Sequence, residues 1–431
     1  MKCNYSCKSE AHLVARRQFL GGSLATGAGL ALGGLGMFTH PATARELARG
    51  QKRMLVVRMA GGLSQLESWD PKPGTATGGP FRAIPTSVPG IHLSELLPWT
   101  AKQMHHLALI RGINTNENDH GKGDYMMITG RRQTPAADYP EIGAVVARAL
   151  DLEGSSALPG HIKIVPGGGG GRSADSAYLG PRYASVVLGN GNPPQHTERP
   201  ESLTEDVFQC RSELRQSVDD RFALRRRTAE TEAYTQSFEQ ARELMAEREI
   251  FDLEREPEKD RERYGTHDFG RHCLLARRLL ENGITCVQVT HSNYDTHNEN
   301  FTFHFEQLGE FDRPFATLVS DLAERGLLES TLVVVLSEFG RTPHINHLYG
   351  RDHWGTSWSI CLGGAGIQPG AVIGATSADG TEVKERQVDA GHLFHTYLAA
   401  LGLKSTGHFT IDGRKVPMAD PAFEPISELL V

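Results

Sequence analysis

Three short stretches in the last third of the chain concentrate residues able to bind metals or anions. Asp295 and His297 fall two apart after His291. Glu338 and Arg341 follow in Ser-Glu-Phe-Gly-Arg, and Arg351 and His353 close the set in Arg-Asp-His-Trp. Carboxylate oxygen mixed with imidazole nitrogen suits zinc, manganese or iron, and suits calcium less because calcium prefers all-oxygen shells. Arginine adds a forked donor for sulfate, phosphate or carboxylate. The chemistry open to such a set is metal-assisted attack on a charged ester. Asp295, His297, Glu338 and His353 would hold the metal, Arg341 and Arg351 would clamp the anion, and His120 or a water would act as base or nucleophile. A plainer reading stands beside it, in which Asp295 and Glu338 cap helices or pair with Arg341 and Arg351 in a structural ion network. An Asp-x-His pair alone carries little weight; two such clusters after consecutive strands carry more.

Those strands are legible. Thr331 to Leu336 (TLVVVL) is a continuous β-branched apolar run, the pattern of a strand buried on both faces. Ile284 to Thr290 reads as another and delivers Asp295 and His297. Met54 to Met59, ending in Gly61-Gly62, and Leu107 to Ile110, followed by Asn-Asp-His120, give two more, with His161 to Val165 and Ser359 to Leu362 beyond them. Between strands, Phe269 to Leu280 fits a helix capped by Asp268. Leu308, Phe311, Phe315, Leu318 and Leu322 recur at helical spacing, and Leu393 to Leu401 form an amphipathic stretch with Asp389 as cap. Strands alternating with helices predict a three-layer α/β/α fold around a mostly parallel sheet, with ligands just outside the carboxyl ends of the strands. Residues 201–263, dense in Arg and Glu, read as a helical cap or insertion, and Gly167–Gly171 as a mobile loop.

Arg16-Arg17-Gln18-Phe19-Leu20 precedes a glycine-rich apolar run and Ala42-Thr43-Ala44, which resembles a twin-arginine export signal over residues 1–44. The mature protein would then span 45–431, exported or periplasmic, without a membrane span after cleavage. The net charge of −7 argues against a nucleic-acid partner. Six scattered cysteines give no disulfide framework.

The stretches GGLSQLESWDPKPG, ALIRGI, NDHGKGDYMMITGR, YDTHNENF, TLVVVLSEFGRTPHIN and GRDHW resemble the exported domain-of-unknown-function family 1501. That family sits with the alkaline-phosphatase and sulfatase-like proteins. The resemblance implies an alkaline-phosphatase-like fold and a metal-bound Ser, Thr or Cys nucleophile with two metals or one calcium. By motif, Asp295 and His297 match one ligand cluster, Glu338 the acid of an Asp-His pair, and His353 the late histidine ligand. Phe339 replaces that pair's histidine, Gly61-Gly62 stands where an Asp ligand is expected, with Glu67 or Asp70 as substitutes if the loop folds back, and no Ser, Thr or Cys occupies 118–120. Half of a two-metal site is therefore absent. The expected function is an exported hydrolase of a sulfate or phosphate ester, small or polysaccharide, using a divalent metal (zinc, manganese or calcium). The alternative is a non-catalytic binding or assembly protein, in a complex with exported cytochrome-c-like proteins.

Overall fold

Eight strands build the central sheet: β1 (Arg53–Met59), β2 (Leu107–Ile113), β3 (His161–Val165), β4 (Val186–Gly189), β5 (Cys286–His291), β6 (Thr331–Leu336), β7 (Trp358–Gly363) and β8 (Val372–Ile373). Their spatial order is β8-β2-β7-β6-β1-β5-β3-β4. The structure, a computed structural model, describes residues 50–151, 158–168, 175–194, 198–226 and 229–431. The export signal expected over 1–44 and the end of the Gly167–Gly171 run lie outside them.

All neighbours in the sheet are parallel except β7, which runs against both β6 and β2. This one reversal has a consequence. The loop entering an antiparallel strand lies at the edge where parallel strands end, so His353, just before β7, arrives beside the residues that follow β5 and β6.

The sheet separates two cores because strand side chains alternate between faces. Leu55, Val57, Val287, Val289, Val333 and Val335 pack with α5 (Asp268–Glu281) and α6 (Asn300–Glu324) on one side. Met54, Val56, Leu332, Val334, Ile360 and Leu362 pack with α1 (His120–Thr129), α2 (Ile142–Leu150) and α7 (Ala390–Ala400) on the other. The fold is thus three-layer α/β/α, as the alternation predicts. Between β4 and β5 the charged stretch forms α3 (Glu205–Arg226) and α4 (Ala229–Ala246), then a short helix over Glu258–Tyr264.

Two helix starts are instructive. Asp389 caps α7 in a capping box with His392. The α5 cap is His267, whose side chain accepts from the Gly270 N–H; Asp268, the expected cap, is the first helical residue, where its charge suits the helix dipole. Cys273, Cys286 and Cys361 are buried and unpaired, whereas Cys210 is exposed. No helix among the described residues is long and apolar enough to cross a membrane.

Candidate functional site

Five adjacent strands, β2, β7, β6, β1 and β5, bring the site together at one sheet edge. His120 is the first residue of α1, which Asp119 caps by accepting the Lys122 N–H at 2.9 Å. Asp295 and His297 follow β5, Glu338 and Arg341 follow β6, and His353 pairs with Arg341 in a short antiparallel ribbon.

The centre is the Asp295 carboxylate. Oδ1 lies 3.2 Å from His297 Nε2 and 3.2 Å from His353 Nε2, and those two nitrogens are 3.0 Å apart. Oδ2 lies 3.3 Å from His120 Nε2. His120, Asp295 and His353 each offer a ligand atom within 4.8 Å of the others.

The other nitrogen of each ring shows what the converging ones present. His120 Nδ1 is 2.7 Å from Glu338 Oε1, His297 Nδ1 is 2.7 Å from Asp352 Oδ1, and His353 Nδ1 is 2.7 Å from the Asn118 carbonyl. Ionised carboxylates and carbonyls only accept, so each Nδ1 donates, and in the neutral rings every Nε2 carries a lone pair. Two lone pairs facing each other at 3.0 Å repel unless a cation or proton lies between them. His120 Nε2 is buried and lacks a hydrogen-bond partner. Three mutual separations of 3.0–3.2 Å also match the edges of a tetrahedron whose corners lie ~2.0 Å from its centre, the distance of zinc from nitrogen or oxygen. The residues present fit a divalent ion.

The charges agree. Three carboxylates, Asp295, Glu338 and Asp352, surround the guanidinium of Arg341, and Arg58, which also acts on Glu338, is already paired with Asp124. Burial pushes the Asp295 carboxyl up, but the hydrogen bond and charge of Arg341 hold it at about 2. Burial likewise opposes ionisation of Glu338, and the His120 hydrogen bond keeps it below the usual carboxylate range. That bond in turn raises His120. All three acids stay ionised at neutral pH, leaving an excess of negative charge that a divalent cation would cancel.

The placement departs from the expected roles in several respects. Glu338 is a step behind the converging atoms: Oε1 accepts from His120 and from the Gly61 N–H at 2.9 Å, and Oε2 from the Ser337 hydroxyl at 3.2 Å. It is shielded from the centre by the ring it orients. Arg341 and Arg351 are wholly buried and face inward. Arg341 donates to Asp295 at 2.6 Å and to the Gly61, Gly62 and Arg351 carbonyls. Arg351 grips Glu67 with two hydrogen bonds, 2.8 and 3.1 Å, and spends its remaining donors on the Thr77, Thr342 and Pro343 carbonyls. Neither fork is open to a substrate anion. Glu67 is therefore occupied, and Asp70 is bound to Lys72 and Thr376, so neither supplies the missing ligand after β1.

Phe339 explains that missing half. Its buried ring lies against His120 and His353, with centroids 4.8 and 4.4 Å apart. A Cβ at Gly62, φ +86°, would come within 2.7 Å of the Phe339 ring, and one at Gly61, φ +116°, within 2.5 Å of the Asp295 nitrogen. Neither glycine could therefore carry a ligating side chain without displacing these neighbours, and a benzyl ring has no donor atom. Asp352 and Asn118, the orienting partners of His297 and His353, were not singled out from the sequence. Asp352 sits next to His353 in the chain, yet nothing in the spacing says that it turns to His297.

Fold and site together define a three-layer α/β/α protein with one histidine–carboxylate cluster at the carboxyl edge of its sheet. The chain belongs to the family described as a protein of unknown function (DUF1501), whose model matches residues 51–430. No curated protein matches it. Similar solved structures include the lipoteichoic acid synthase LtaP from Listeria monocytogenes, 8% identical over 86% of this chain and 76% of that one, TM-score 0.41. A sulfatase from Pseudoalteromonas sp. is 14% identical over 84% and 72%, TM-score 0.40. A phosphonate monoester hydrolase from Silicibacter pomeroyi is 12% identical over 84% and 75%, TM-score 0.40.

Proposed function

We propose that the protein is an exported, metal-dependent hydrolase of a sulfate or phosphate ester that holds a single divalent cation. Asp295, His297 and His353 would bind it, with His120 as the fourth donor in place of Glu338. The observation that carries this reading is the convergence of three imidazole Nε2 atoms, each ring's other nitrogen anchored, on one ionised carboxylate. Nitrogen-rich donors favour zinc or manganese over calcium.

When bound, such a cation polarises an ester oxygen and acidifies water. The chain's own residues do the rest. Glu338, Asp352 and the Asn118 carbonyl fix ring orientation and tautomer. Arg341 locks the Asp295 carboxylate in place. Because Arg341 and Arg351 point inward, the ester's charge would be met at the cluster itself and not by a separate arginine clamp.

A second reading is a binding or assembly protein. What favours it is that the cluster offers four protein donors, His120, Asp295, His297 and His353, as many as a closed structural site uses, and that no Ser, Thr or Cys stands at 118–120. One experiment separates the two: elemental analysis of the purified protein together with hydrolysis of aryl sulfates and phosphates. Stoichiometric metal with turnover that Asp295→Ala abolishes supports the hydrolase. Stoichiometric metal without turnover supports the binding protein. Turnover that survives Asp295→Ala rejects the proposed site.

A further inference from the structure

The charge around the cluster, counted with a divalent cation in place, bears on which ester it accepts. Asp295, Glu338 and Asp352 are negative and Arg341 positive. Arg58 is paired with Asp124, and Arg351 with Glu67. At the start of α1, Asp119 lies against Lys122, and Glu117 accepts the Asn118 and Asp119 N–H groups. No other arginine or lysine among the described residues bonds the cluster. With a hydrogen on Nδ1 and an ion at Nε2, each imidazole is neutral. The protein's own carboxylates therefore cancel both charges of the cation, and no positive charge is left over for a substrate.

We propose that the site accepts esters with a single negative charge, a phosphodiester or a sulfate monoester, and discriminates against the doubly charged phosphate monoester. This rests on the hydrolase reading above. The cost of taking an anion out of water rises steeply with its charge. A dianion needs excess positive charge to offset that cost, as open arginines would supply, and here Arg341 and Arg351 face inward. The cluster is also open, with the Asp295 and His297 side chains 47 and 46% exposed, so the second substituent of a diester can extend into solvent. In a diester, water adds to phosphorus and one P–O bond breaks. One of its protons leaves with the alcohol, the other goes to solvent, and the product is a dianionic monoester. The same charge balance makes that product a poorer fit than the substrate, so cleavage stops after one bond.

Two measurements on the zinc-loaded full chain, in mildly alkaline buffer, test this. In turnover, methyl para-nitrophenyl phosphate or para-nitrophenyl sulfate should exceed para-nitrophenyl phosphate in kcat/KM, and which of the two is cleaved separates the phosphorus source from the sulfur one. In binding, methylphosphonate carries two charges and dimethylphosphinate one, and neither is hydrolysed. Glu338→Gln removes a negative charge and can still accept from His120, so at saturating zinc it should shift the ratio of their affinities ~10-fold toward the dianion. Asp119→Asn, which keeps the helix cap and lies outside the ligand set, should shift it the same way by a smaller factor. A structural lesion would weaken both anions alike. Faster cleavage of the doubly charged aryl phosphate overturns the proposal and leaves the hydrolase reading standing, as does an affinity ratio that neither variant moves. Absence of turnover with all three esters ends both.

Discussion

At Glu338 a difference of one bond separates two roles. A carboxylate touching the cation is indispensable to it, whereas one that orients a ligating imidazole typically changes affinity 10–100-fold. Asp295→Asn should therefore strip the metal altogether. Glu338→Gln should retain it with affinity weakened ~10–100-fold, as read by competition with a chromophoric chelator. Equal loss in the two variants would place Glu338 on the ion itself. Arg351 makes the opposite kind of prediction, about stability. Its guanidinium and the Glu67 carboxylate are both fully buried, 2.8 Å apart. Arg351→Met would strand that carboxylate and should cost ~3–5 kcal/mol in urea unfolding, much of it recovered by adding Glu67→Gln. A loss under ~1 kcal/mol, the worth of an exposed pair, would contradict the inward orientation.

Elements enter through the loop after β1, which carries no ligand but supports those that do. α6 holds this loop through His304: Nδ1–H donates to the Asn300 carbonyl at 2.9 Å, and Nε2 accepts the Ser64 N–H at 3.1 Å. Accepting at Nε2 requires a neutral ring, and burial drives its pKa down to about 4. In the unfolded chain an ordinary histidine titrates near 6.5. Between those values the unfolded state binds more protons, so this contribution is complete above pH ~6.5 and is lost as pH falls through about 4. The span corresponds to ~3 kcal/mol. Urea midpoints followed across that range in chelator should slope upward with pH, and His304→Asn should flatten the slope; an unaltered slope would mean that the ring is not held neutral. The ribbon before β7 depends on a similarly tight fit, since a Cβ at Gly350 would collide with the His297 carbonyl.

For the molecule as a whole, the cluster joins loops that follow four different strands to the entry of a fifth. A cation bound only in the folded state stabilises all of them by mass action, ~4 kcal/mol at a thousand times its dissociation constant. Chelation should lower the melting temperature of the wild-type protein and leave Asp295→Asn unmoved. Equal melting curves with and without chelator would remove the cation from the folded protein's stability.

Much of this architecture follows from local rules that need no knowledge of distant contacts. The β-branched run at Thr331–Leu336, the Asp389 cap and the glycines closing the helices state their own conformations, and strand–helix alternation implies a parallel sheet with chemistry at its carboxyl edge. Asp295, His297 and His353 were visible as donors for the same reason: each follows or precedes an apolar strand. What the sequence leaves open is direction beyond the backbone. Whether Glu338 reaches the centre or stops at His120, and whether Arg341 and Arg351 turn outward or in, depends on side chains more than 200 residues away, such as Glu67 and His120. Those partners meet only once β7 reverses and the five strand ends are packed side by side, because orientation is set by the donors and acceptors that folding brings within ~3 Å.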